Sequence, residues 1–203
     1  MKTLITILLV IVSINLYGQI SKPQFDGHAW KAPYELPIPK GWTIERFLIP
    51  ISFAPQIPYK GVEDIRFTPG WSKATSDEYW SYAFLWYLDG EVKMNASTLN
   101  NNLKVYYSGL VKSNGRSLPR ITPVVTSLKE TKKDNGDLQT YVGTIQITDY
   151  MSQAPIMLNC KAHVKSCPGE NKTFIFYELS PQSLSHKVWS GLDKLWIDFR
   201  CKK

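Results

Sequence analysis

The chain has no hydrophobic stretch long enough to cross a bilayer. Its one apolar run, Leu4 to Ile14, spans about 11 residues where a membrane helix needs roughly 20, and Asn15, Gly18 and Gln19 interrupt it. With Lys2 before it and Gly18 after it, the run has the form of a cleavable signal peptide over residues 1–18. The reading predicts cleavage after Gly18, a mature chain over 19–203 beginning at Gln19, and an exported protein, periplasmic or secreted, with no stable membrane insertion. No cysteine near the cut supplies a lipid-attachment signal.

Dense basic tracts are missing too. Lysine and arginine total 24 against 17 acidic residues, and losing Lys2 with the leader leaves a formal charge of +6, dispersed along the chain. Dispersed charge describes a solvated surface and not a nucleic-acid arm, so nucleic acid is excluded as the expected partner. Histidine and cysteine are scarce, at three each, and neither a Gly-x-Ser-x-Gly elbow nor a His-Glu-x-x-His helix occurs. No pattern demands a cofactor.

Aromatic residues and proline are abundant: seven Trp, eleven Tyr and thirteen Pro. From Ile20 to Pro69 the prolines break long elements, and the region reads as an ordered coat of extended segments pinned by Trp30, Trp42, Phe47 and Phe53. Strands are expected at Ile44–Phe53 and Val62–Phe67. Tyr79–Leu88 has the strongest strand propensity, with Trp80, Tyr82, Phe84, Trp86 and Leu88 on one face, and its two apolar faces place it centrally in a sheet. Asn95 or Ser97 then caps a helix whose Leu99, Leu103, Tyr106, Tyr107 and Leu110 form one stripe, ended by Asn114-Gly115.

Period-two alternation follows over Ile121–Glu130, Leu138–Thr148, Ile156–Val164 and Thr173–Leu179, with a turn at Asp134–Asp137. This predicts an antiparallel meander with one wet face carrying Lys161, His163 and Lys165. Ser180-Pro181 starts a closing helix marked by Leu184, Val188, Leu192, Leu195 and Trp196. About 185 residues in this order give a single α+β domain, a mainly antiparallel sheet with two amphipathic helices packed on it.

The element order, an early Pro39-Lys40-Gly41-Trp42 and a final helix running into Trp196-Ile197-Asp198-Phe199 together resemble the PsbP-like α/β/α sandwich group. The resemblance covers most of the mature chain in pattern, with no diagnostic motif, and the long proline-rich start departs from it. It implies an accessory or binding protein and transfers no functional residue.

Cys160, His163 and Cys167 mimic part of a zinc site, but strand parity sends Cys160 and His163 to opposite faces. In an oxidising compartment the expected pairing is a Cys167–Cys201 disulfide with Cys160 a buried thiol. No metal is expected. Asp26-Gly27-His28 in the proline-rich segment has the makings of acid/base chemistry, or of an ordered polar loop. Glu63, Asp64 and Asp77 gather around the central strand, and a glycosidase needs two such carboxylates about 5 to 10 Å apart. On parity and position they also suit turns and sheet edges.

The candidate ligand-binding residues are Tyr59, Trp71, Tyr79 and Trp80, around the loop Thr68–Lys73. A Trp after Pro-Gly is either a lid on the core or a stacking platform. The expected function is a non-catalytic exported module binding a small ligand, glycan or envelope partner in an aromatic groove. The alternatives are a secreted hydrolase, in which Asp26, His28, Glu63, Asp64 or Asp77 would converge in one pocket, and a structural envelope protein, which would have no pocket.

Overall fold

The computed structural model describes residues 25–115, 122–134 and 136–202; the expected leader, 1–18, lies outside them. In chain order the elements are β1 (Tyr34–Glu35), β2 (Thr43–Ile49), β3 (Gly61–Phe67), β4 (Tyr82–Asp89), α1 (Ala96–Asn114), β5 (Val125–Thr131), β6 (Gln139–Asp149), β7 (Ala154–Lys165), β8 (Lys172–Ser180), α2 (Val188–Ile197) and β9 (Arg200–Cys201). Seven strands form one antiparallel sheet in the order β2-β3-β4-β8-β7-β6-β5, and β1 pairs with β9 beside it. The expected α+β architecture and the β5-to-β8 meander are present, with β4 against β8 at the centre.

One helix covers each face. On the first, Trp80, Tyr82, Phe84, Trp86 and Leu88 from β4 and the segment before it meet Leu99, Leu103, Tyr106, Tyr107 and Val111 of α1. Asn95 caps α1 as expected, its Oδ1 accepting the Thr98 N–H at 2.9 Å, and the Gly115 N–H closes the last turn on Val111. Val111, not Leu110, completes the buried stripe; Leu110 is half-buried. On the second face Ala83, Leu85, Phe174 and Phe176 pack against Val188, Trp189, Leu192, Leu195 and Trp196 of α2. The Cys167–Cys201 disulfide ties the β7–β8 turn to β9, and Cys160 is a buried free thiol, both as expected. No helix among the described residues is long and apolar enough to cross a membrane.

Three expected element boundaries are corrected. The strand at Tyr79 begins only at Tyr82, because Trp80 sits at φ +54° and the chain before it folds as successive turns. The strand at Ile44 stops at Ile49, where Pro50 has no N–H to offer the ladder. Ser180 ends β8 instead of capping a helix; α2 starts at Val188, leaving Leu184 exposed and His186 in the preceding turn.

The meander's polar face is wet toward β5, where Val125, Ser127 and Lys129 are exposed, but it is covered around His163. The Asp137 carboxylate pairs with His163 Nδ1 at 2.7 Å and accepts the Trp196 indole N–H at 2.9 Å, Lys161 pairs with Asp193 of α2, and His163 is 3% exposed. Alternation marks which residues share a face; it does not distinguish water from a covering helix that supplies counter-charges.

An aromatic cleft as the candidate functional site

The edge strand β2 runs antiparallel to β3 with Glu45 beside Ile65 and Phe47 beside Glu63, all on the α1 face. Past Ile49 the chain turns through Ile51, Ser52 and Phe53 and comes to rest against α1. It approaches so closely that a Cβ on Gly109 would lie 1.8 Å from the Phe53 carbonyl oxygen, so only glycine fits there. Phe53 then meets Tyr106 edge to face, 5.1 Å between ring centroids.

Opposite, the β3–β4 connection is pinned by its own hydrogen bonds. Glu78 accepts the Gly70 N–H at 2.7 Å, and the Trp80 N–H donates to the Trp71 carbonyl at 2.7 Å. This brings Trp71 flat onto Phe67, with centroids 4.4 Å apart. Trp80 is buried against Tyr150 of the β6–β7 turn, edge to face at 5.3 Å. A bulky residue at positive φ is strained by roughly 1 to 3 kcal/mol, and such positions gather at functional sites.

Between these walls lies a cleft of about 370 Å³ lined by Glu45, Phe47, Ile51, Ser52, Phe53, Ile65, Phe67, Trp71, Trp80, Tyr82, Tyr106, Leu110, Ser113, Asn114 and Tyr150. Eight of these are aromatic. Ile65, Phe67, Trp80, Tyr82 and Tyr106 form a buried floor; Phe53, Trp71 and Tyr150 are half-exposed walls; Glu45, Phe47, Ser52, Ser113 and Asn114 form an exposed rim. The buried Trp80 indole N–H approaches the Tyr79 hydroxyl without a hydrogen bond of ordinary geometry.

The polar groups bias the cleft negative. Glu45 forms no ion pair among the described residues, and partial loss of water raises its pKa despite the opposing influence of His28. Behind the floor, Glu63 is fully enclosed, accepting the Tyr106 hydroxyl at 2.8 Å and the Trp86 indole N–H at 2.8 Å. Burial pushes its pKa up to about 7 against those two hydrogen bonds.

Of the four residues expected to bind ligand, Trp71 and Trp80 line the cleft. Trp71 is stacked on Phe67 by one face and is half-exposed. Tyr59 and Tyr79 lie outside the lining: Tyr59 accepts a hydrogen bond from Asn102 beside Trp86, and Tyr79 donates to Asp149 at 2.6 Å. Glu45, Phe47, Phe53, Tyr106 and Tyr150 were not expected there. Glu45 carried a readable signal, since it alternates with Phe47 as a lone acid on an otherwise apolar strand face.

The acid/base candidates do not converge. Asp26 caps its own loop through the His28 and Ala29 N–H groups, and Asp77 is exposed, with Lys187 at 3.4 Å. Glu63 and Asp64 are not edge carboxylates but buried ones, on opposite faces of β3. Asp64 is held by Arg66, by Arg46 at 2.9 Å and by the Tyr34 hydroxyl at 3.1 Å. Among the described residues no group of three or more His, Cys, Asp or Glu side chains is placed to hold a metal ion. No known protein family, curated protein or solved structure matches this chain.

Proposed function

We propose that this chain is an exported, non-catalytic module that binds a small ligand or glycan in the aromatic cleft between α1 and the β2–β3 edge. The observation that carries the reading is the lining itself, in which eight aromatic side chains converge from five separate stretches of chain on one concave, partly open site. Ligand sites are typically concave, mostly apolar and provided with a few polar groups. Burying these rings completely would have been the simpler way to use them for stability. The strained, buried Trp80 beside a half-exposed Trp71 fits a site held in shape for a ligand. Export is supported by the disulfide, since such bonds persist in oxidising compartments. A purely structural role would leave this cleft without purpose.

The test is Trp71→Ala. Trp71 is only half-buried, so its loss lowers stability by about 1 to 2 kcal/mol, chiefly the stacking on Phe67 and part of its burial. Ligand-dependent quenching of tryptophan fluorescence, found by screening sugars and small amphiphiles, is lost with it. A stability loss above about 3 kcal/mol, the range of a core truncation, with unchanged binding would reduce Trp71 to a lid.

A hydrolase is the second reading, supported by one observation: His28 and Glu45 line the same shallow hollow of about 280 Å³ on the outer side of β2. Hydrolytic turnover abolished by His28→Ala would favour it over the binding module.

A further inference from the structure

We infer that the ligand of the aromatic cleft is a small organic cation, an ammonium received by the faces of Phe53, Trp71 and Tyr150 and balanced by Glu45. The inference rests on the proposal that this cleft is a ligand site and adds the chemistry of its occupant.

The argument is one of charge complementarity. The chain as a whole is basic, with 24 Lys and Arg against 17 acidic residues, yet no Lys, Arg or His lines the cleft. Its one charged lining group is the Glu45 carboxylate, which has no ion-pair partner among the described residues. His28 is the basic group whose charge Glu45 feels, and it borders the hollow on the far side of β2, not the cleft. The buried Glu63 lies directly behind the Tyr106 ring, and any fraction of it that ionises adds negative potential from below.

Aromatic faces carry negative quadrupole density and attract cations within about 6 Å of the ring centroid, most strongly when water is excluded. The half-exposed rings Phe53, Trp71 and Tyr150 belong to three different segments, so one compact cation can meet several faces at once. This chain already uses the same physics inside the fold, with Lys165 4.5 Å from the centroid of Trp196 and Arg46 5.5 Å from that of Trp30. Those rings are occupied by cations of the chain itself, whereas no cation–π contact of this kind involves the cleft's rings among the described residues. An anionic ligand would meet Glu45 with nothing to offset it, and a neutral one would leave Glu45 unused.

The experiment is a pair of fluorescence titrations of the mature, disulfide-bonded protein at constant ionic strength. The probes are choline and its neutral carbon isostere, in which a tert-butyl group replaces trimethylammonium. Choline is expected to bind about tenfold more tightly, the scale of a partly desolvated cation–π site with a carboxylate. Glu45→Gln should reduce the ratio of the two affinities to the smaller preference that the aromatic faces alone supply, and Glu45→Lys should lower it further. Both substitutions lie on an exposed position of an edge strand, and an unchanged thermal midpoint verifies the fold. Equal affinities in the wild type would overturn the cation inference and leave the ligand site standing. A choline preference undiminished by Glu45→Gln would overturn the role given to Glu45. If neither probe binds, the cation inference falls, and the cleft keeps its proposed role only through a ligand found in the wider screen of sugars and amphiphiles.

Discussion

Exchanging Glu63 for glutamine should make the protein more stable in mildly alkaline solution and leave it unchanged in acid. The side chain is fully enclosed, and its pKa is raised from 4.5 to about 7, chiefly because burial penalises the charged form. In the unfolded chain the carboxyl ionises at its ordinary value. Between that value and about 7 the folded protein keeps a proton that the unfolded chain releases, so unfolding is increasingly favoured as pH rises through this window and levels off above it. At about 1.4 kcal/mol per pH unit, the window corresponds to about 3 kcal/mol. Glutamine has no proton to lose, has nearly the same shape, and can accept from Trp86 while donating to the Tyr106 oxygen. Urea unfolding of wild type and Glu63→Gln, compared across pH, isolates this group because other titrations cancel in the difference. The expected difference is near zero at about pH 4 and grows to about 3 kcal/mol in favour of the variant at about pH 8. A difference independent of pH, or a variant less stable at the alkaline end, would refute the placement of Glu63.

His163 should act in the opposite sense: its pKa is raised to about 9 by Asp137 and Glu178 against the cost of burial, so its contribution is complete below its ordinary value and is lost as pH rises from about 6.5 to 9. His163→Gln should flatten that part of the wild-type stability profile, read by urea unfolding. Reduction of Cys167–Cys201, which closes a loop with a sequence separation of 34, should lower stability by about 3 to 4 kcal/mol. Alkylation should label nothing in the native protein and Cys160 alone after unfolding without reductant; burial also pushes the Cys160 thiol well above its ordinary range. Mass spectrometry of protein recovered outside the cytoplasm should find a chain beginning at Gln19, and an intact Met1 chain in membranes would contradict cleavage after Gly18.

Most of the secondary structure was legible because it is local. The Asn95 cap and the Leu99, Leu103, Tyr106, Tyr107 stripe lie within one helix, and the β6, β7 and β8 alternations follow from parity alone. Parity also kept Cys160 out of the disulfide and put Trp80 on the correct face, although its backbone is not extended. What could not be read is which element covers which face. His163 on an alternating strand looks solvated until α2 arrives with Trp196, and Glu63 looks like an edge acid until Tyr106 and Trp86 enclose it. The cleft has the same origin. Trp71 was visible as a loop aromatic and Trp80 as a strand aromatic near that loop, but Phe53 and Tyr150 join them only through long-range packing, of which the fit of Gly109 beneath Phe53 leaves no periodic trace.

The central claim is that the cleft at Trp71 and Trp80 receives the ligand, and tryptophan itself reports on it most directly. In nitrogen-labelled protein each of the seven indole N–H groups gives its own NMR signal. Three of them already donate within the fold, Trp86 to Glu63, Trp189 to the Gln182 carbonyl and Trp196 to Asp137, while the Trp80 N–H has no such acceptor. Titrating with choline and then with its neutral isostere should shift the Trp71 and Trp80 signals saturably, leaving Trp189 and Trp196 on the opposite face in place. Saturable shifts at Trp189 or Trp196 with Trp71 and Trp80 unmoved would contradict the account.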